Sequence, residues 1–62
     1  MKRIWIASYC KNGFEFKVLL YGTEQELHEY TRSEFGYQLG YSGATDDEVA
    51  AAKKLGIKIY YM

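Results

Sequence analysis
A chain of 62 residues has room for one domain with a limited core. One cysteine, Cys10, and one histidine, His28, leave it without an internal disulfide or a structural zinc site. Eight basic residues balance eight acidic ones, which argues against a dedicated nucleic-acid binder and against an acidic mimic of nucleic acid.

Stability must therefore come from packing or from self-association, to which uncharged small domains are prone. Trp5, Phe14, Phe16, Phe35 and seven tyrosines supply large rings that bury much area per residue. No apolar run is long enough to cross a membrane. The apolar N-terminal stretch ending at Ala7 is too short for a signal peptide and is followed by Tyr9-Cys10-Lys11-Asn12. A single unpaired thiol fits a cytoplasmic protein. With no linker, repeat or low-complexity tract, residues 1–62 read as a single compact domain.

Residues 2–11 and 14–21 read as strands joined by Asn12-Gly13, a strong two-residue hairpin signal. That turn pairs Lys11 with Phe14, Tyr9 with Phe16, Ala7 with Val18 and Trp5 with Leu20. Directly opposed residues share a face. Trp5, Ala7, Tyr9, Phe14, Phe16, Val18 and Leu20 then form a nearly all-apolar face, expected to be the core. Ile4, Ile6, Ser8, Cys10, Glu15, Lys17, Leu19 and Tyr21 form the other.

Thr23 with Glu26 has the spacing of a capping box, opening a helix that runs to about Phe35 with Leu27, Tyr30, Thr31 and Phe35 inward. Gly36 is placed as its C-terminal cap. Tyr37-Gln38-Leu39-Gly40-Tyr41 alternates like a short strand, the alternative being a loop. Thr45 with Glu48 is a second capping box, and the helix over roughly 46–55 carries Val49, Ala52 and Leu55 along one side. Acidic residues fill its first turn and Lys53 and Lys54 its last, complementing the helix dipole. Gly56 stops it. Ile57-Lys58-Ile59-Tyr60-Tyr61 reads as a final strand with Ile57, Ile59 and Tyr61 inward. The expected fold is α+β, in the order β-β-α-β-α-β. It has a four-stranded mixed sheet with an N-terminal hairpin and two helices on one face. If 37–43 is a loop, the order becomes β-β-α-α-β.

No group of residues assembles a catalytic site, and no enzyme activity, metal or cofactor is expected. His28 has Glu24 and Arg32 one helical turn to either side, but no nucleophile or oxyanion hole accompanies it. Cys10 sits beside the hairpin turn as a small strand residue. Asp46, Asp47 and Glu48 are consecutive on a helix and point in different directions, so they cannot converge on one ion. Gly36, Gly40 and Gly43 lack the Lys-Ser/Thr of a phosphate loop.

The segment Tyr41-Ser42-Gly43-Ala44-Thr45, followed by Ala-Ala-Lys-Lys-Leu-Gly-Ile-Lys-Ile, is similar to helix-then-strand units of many α/β proteins. It also resembles the last part of BRCT-type domains, where a glycine precedes a helix ending in Leu-Gly-Ile and a strand. These are generic packing residues in a chain shorter than that domain, so the likeness implies no function.

What remains is surface. Ile4, Ile6, Leu19 and Tyr21, with Lys17, Lys58 and Tyr60, are the expected partner-binding residues, because a monomer seldom leaves such an apolar patch bare. The rival arrangement packs one helix on this face. The expected function is a small binding or accessory protein, of the kind found as inhibitors and adaptors in bacteria, phages and mobile elements. It would dock on a protein partner or on itself as a homodimer. The alternative is single-stranded nucleic-acid binding by aromatic rings beside Arg3, Lys17 and Lys58. An apolar centre to the patch favours protein; clustered Lys and Arg favour nucleic acid.

Overall fold
The computed structural model describes residues 1–30 and 35–62. Strands β1 (Arg3–Lys11) and β2 (Phe14–Gly22) form the expected antiparallel hairpin. Asn12 at φ 54° and Gly13 at φ 82° supply the two left-handed residues that a tight hairpin turn demands. The register follows: Trp5 faces Leu20, Ala7 faces Val18 and Tyr9 faces Phe16. Helix α1 (Glu24–Glu29), strand β3 (Tyr37–Gly43), helix α2 (Asp46–Leu55) and strand β4 (Ile59–Tyr61) complete the order β-β-α-β-α-β. The sheet runs β3-β1-β2-β4, with β3 antiparallel to β1 and β4 parallel to β2. Residues 37–43 are thus a strand, with one irregularity: the register slips between Ser8 and Tyr9, leaving Leu39 as the extra residue of a bulge.

Strand order decides where the helices go. β2, β3 and β4 are mutually parallel, and β1 opposes them. The link from β2 through α1 to β3 crosses β1 toward one edge of the sheet; the link from β3 through α2 to β4 returns to the other edge. Such crossovers are almost always right-handed, and two that step in opposite directions must lie on opposite faces. Leu27 of α1 packs with Ala7, Tyr9, Leu20 and Phe35 on one face. Ala52 and Leu55 of α2 border Ile6 and Leu19 on the other. The sheet and element order are as expected, but the helices divide between the two faces rather than sharing one.

The α1 face is the main core. Ala7, Tyr9, Leu20 and Leu27 are fully buried there. Phe35 gathers the rings around it, with centroids 5.5 Å from Tyr9, 5.8 Å from Tyr30 and 5.0 Å from Tyr60. Burial pushes the Tyr9 hydroxyl above its ordinary pKa, and Gln38 Nε2 satisfies it by donating to it at 3.1 Å. The Trp5 indole N–H donates to the Gly22 carbonyl at 3.0 Å.

Several boundaries differ from the sequence reading. α1 ends at Glu29 with Tyr30 as its C-cap, well short of Phe35. Thr31 and Arg32 lie outside the described residues. Gly36 does not cap this helix. At φ 90° it lets the chain pass the Cys10 carbonyl, where a Cβ would sit 2.6 Å from the oxygen. Phe14, assigned to the core face, is 76 % exposed at the turn end of the hairpin. β4 begins at Ile59, and its parallel pairing sets Tyr60 beside Leu20. Tyr60 therefore faces the main core, while Ile59 and Tyr61 lie on the α2 face, because a strand's faces alternate with every residue.

Both capping boxes are present. The Thr23 N–H donates to Glu26 Oε1 at 2.8 Å and the Thr45 N–H to Glu48 Oε1 at 3.0 Å. The reciprocal bonds from the Glu26 and Glu48 N–H groups to the threonine hydroxyls are each 3.1 Å. Gly56, at φ 75°, closes α2 in the left-handed conformation. The backbone hydrogen bonds from Thr23 and Thr45 are the largest cause holding the Glu26 and Glu48 carboxyls below their ordinary 4.5.

Two predictions follow from this packing. Leu27→Ala should cost about 2–5 kcal/mol in urea unfolding, while Phe14→Ala should stay within about 0.5 kcal/mol of wild type. Equal losses would contradict the burial pattern. The second concerns acid. A carboxyl with a depressed folded pKa stabilises above its unfolded value and loses that contribution as pH falls through the folded one. Thermal melts should therefore show stability falling below about pH 4.5. Glu26→Gln with Glu48→Gln should flatten that acid limb; an unchanged limb would show that the caps do not carry it.

Candidate functional site
On the α2 face the cover is incomplete. Between α2 and the sheet runs a groove of about 300 Å³, with Ile6 and Leu19 on its floor and Ala51, Ala52, Leu55 and Ile57 along its sides. The floor follows from the hairpin register, in which Ile6 and Leu19 are direct partners. The groove exists because the one buried side chain of α2, Ala52, is a methyl. Ala52 is buried, but its methyl is too small to fill the space above two branched side chains. Leu55 is 76 % exposed and Ile57 49 % exposed at the groove's edge, so apolar side chains at its lip face water. Lys17 and Glu48 stand at the rim, and the Lys17 charge adds to the forces lowering the Glu48 pKa.

The residues expected to bind a partner separate into two groups. Ile4, Ile6, Leu19, Tyr21 and Lys17 share the α2 face by alternation along the hairpin. Leu19 is buried and Ile4, Ile6 and Tyr21 are half-buried. This face is partly covered by a helix rather than bare. Tyr21 meets the exposed ring of Tyr61 at 5.5 Å. Tyr60 belongs to the other face, against Phe35, and the Lys58 ammonium lies 4.7 Å from the Tyr60 ring. The sequence reading missed Ala51, Leu55 and Ile57 as groove residues. Ala52 was the usable signal: a methyl at the sheet-facing position of α2 cannot fill the gap over branched residues.

A polar cluster lies on the α1 face. The Tyr41 hydroxyl donates to Glu24 Oε2 at 2.6 Å and is 2.9 Å from His28 Nε2. With its own proton given to the carboxylate, the hydroxyl oxygen accepts from an Nε2–H of His28. The two rings meet edge to face at 5.2 Å. Trp5 packs edge-on against Tyr41 at 5.5 Å, and the Arg3 guanidinium lies 5.2 Å from the Trp5 ring. His28 is thus tied to β3 as well as to its own helix. The cluster fastens α1 to the edge strand, and Gln38 adds a second tie by donating to the Leu27 carbonyl at 3.4 Å. Cys10 is half-buried with a free thiol. Among the described residues no three His, Cys, Asp or Glu side chains come together as a metal site.

The hydrogen bond to Glu24 is the largest cause raising the Tyr41 pKa above its ordinary 10.0. A group with a raised folded pKa stabilises below its unfolded value and loses that contribution as pH rises through the folded one. The Tyr41 bond between α1 and β3 should therefore weaken in alkali, as pH rises through the raised Tyr41 pKa. In an ultraviolet titration of tyrosinate, Glu24→Gln should bring one of the late-titrating tyrosines down toward the others and leave buried Tyr9 late. No change would mean that the carboxylate does not hold Tyr41.

No protein-family model matches the chain, and no curated protein or solved structure matches it either.

Proposed function
We propose that this chain is a binding protein that docks on another protein through the groove between α2 and the sheet. The observation that supports this most is the pair Leu55 and Ile57, large apolar side chains exposed at the lip of an apolar groove. Covering one such side chain contributes roughly 1.5–3 kcal/mol before the entropic cost of docking. The charges favour protein over single-stranded nucleic acid. The centre of the groove is apolar, and Lys17 stands beside the acidic Glu48 at its rim. Lys58 is engaged with Tyr60 and Arg3 with Trp5, both rings of the opposite face. The role that fits is an accessory, inhibitor or adaptor protein, of a phage or mobile-element type, in a reducing compartment where the free thiol of Cys10 persists. Among the described residues no helix is long and apolar enough to cross a membrane.

Photo-crosslinking tests the reading. A photoreactive residue in place of Leu55 should give discrete protein adducts in an extract of the native host. The same residue in place of Gln25, exposed on α1, should not. Adducts that disappear on nuclease treatment would favour nucleic acid instead. Equal, diffuse labelling from both positions would remove the groove from consideration.

A further inference from the structure
We infer that the occupant of this groove is a second copy of the same chain, joined across a two-fold axis with the two α2 helices antiparallel. The inference rests on the docking role proposed above and names its partner.

The argument is the charge pattern of α2. At 100° per residue, Asp47, Glu48, Lys54 and Leu55 all fall within about 60° of the direction of Ala51. These five residues form one stripe, and Glu48, Ala51 and Leu55 of that stripe already line the groove. All five are exposed. The stripe is acidic at the helix N-terminus, small and apolar in the middle, and basic then apolar at the C-terminus. Its charge sequence is therefore its own complement when reversed. An antiparallel copy centred on Ala51 sets Asp47 against Lys54 of its mate, on both sides of the axis, with Glu48 beside the mate's Leu55. A parallel copy sets acid on acid and base on base. A two-fold contact is self-complementary in this sense, since whatever one copy offers the other must accept.

Size and shape agree with this arrangement. Ala51 on the axis lets the two helices approach closely, since interaxial distance follows the side chains at the contact. Leu55 of each copy is then carried over the groove of the other, where Ile6, Leu19 and Ile57 are waiting. The chain exposes 4540 Å², and a standard interface takes about 800 Å² from each partner. A ten-residue helix covers less than that alone. The contact must therefore extend to Ile57 and towards Tyr61, both exposed near the groove or on the same face. An interface of this extent is that of a reversible dimer rather than an obligate one.

Sedimentation equilibrium on the purified protein tests the geometry through charge exchange. Asp47 lies outside the capping box, so its replacement leaves the Thr45–Glu48 bonds in place. Asp47→Lys and Lys54→Glu, made separately, should each weaken dimerisation about tenfold, because each turns two attractions into two repulsions. Mixing the two variants one to one should restore a dimer of wild-type strength, as should combining both changes in one chain. Ala51→Gln, which leaves every charge in place, should weaken the dimer as well by holding the axis apart. Circular dichroism checks that each variant is folded, and Ala51→Gln carries the test if a charge variant is not. A wild type that stays monomeric to about 1 mM overturns the inference. So does a dimer that ignores all three substitutions. If a monomeric wild type still gives protein adducts from position 55, the docking role stands and only the second copy is excluded.

Discussion
Asn12 and Gly13 both hold positive φ, and the twist of that tight turn admits one pairing of the strands that flank it. Because side chains alternate along a strand, this register assigns every residue from Arg3 to Gly22 to a face. Slipping it by one would set Leu19 in place of Leu20 beside Ala7 and Tyr9 beneath α1. The aromatic core around Phe35, the floor of the groove and the Trp5 bond to Gly22 all depend on it.

The two faces are finished very differently. On the α1 side, rings do the filling: Tyr9, Phe16, Tyr30, Phe35 and Tyr60 lean on one another, and the six-residue α1 adds Leu27 to them. Large rings suit a short chain because each buries much area for few rotatable bonds. On the α2 side a longer helix brings mostly methyl groups. It lies over Ile6 and Leu19 without filling the space between, and Leu55 and Ile57 stay in water. The domain has one complete half-core and one that is incomplete, and the exposed apolar side chains of Leu55 and Ile57 border the incomplete one.

The edges of the sheet are managed in keeping with this division. β3 is broken by the bulge at Leu39 and fastened to α1 through Tyr41 and Gln38, which makes it a poor template for a further strand. β4 is only three residues long. Neither edge invites strand addition, whereas the α2 face presents an apolar surface with charges arranged along a rigid helix.

Much of this was written in local sequence because it rests on local rules. The Asn-Gly turn, the two Thr-x-x-Glu capping boxes and the left-handed Gly56 each depend on residues within a few positions of one another, so hairpin register, helix starts and the end of α2 could be read directly. The apolar set Ile4, Ile6, Leu19 and Tyr21 was legible for the same reason, by alternation from a known turn. The rest needed contacts between residues distant in the chain. Which edge β4 joins determines that the two crossovers step in opposite directions, and hence that α2 covers the face opposite α1. The same choice turned Tyr60 inward against Phe35 and took it, with Lys58, away from the groove. Phe14 belongs to an apolar face by pattern, yet it stands beside the hairpin turn and is left exposed there. Strand alternation fixes the parity of a side chain but says nothing of which face receives a helix; that is decided by strand order, a property of the whole sheet.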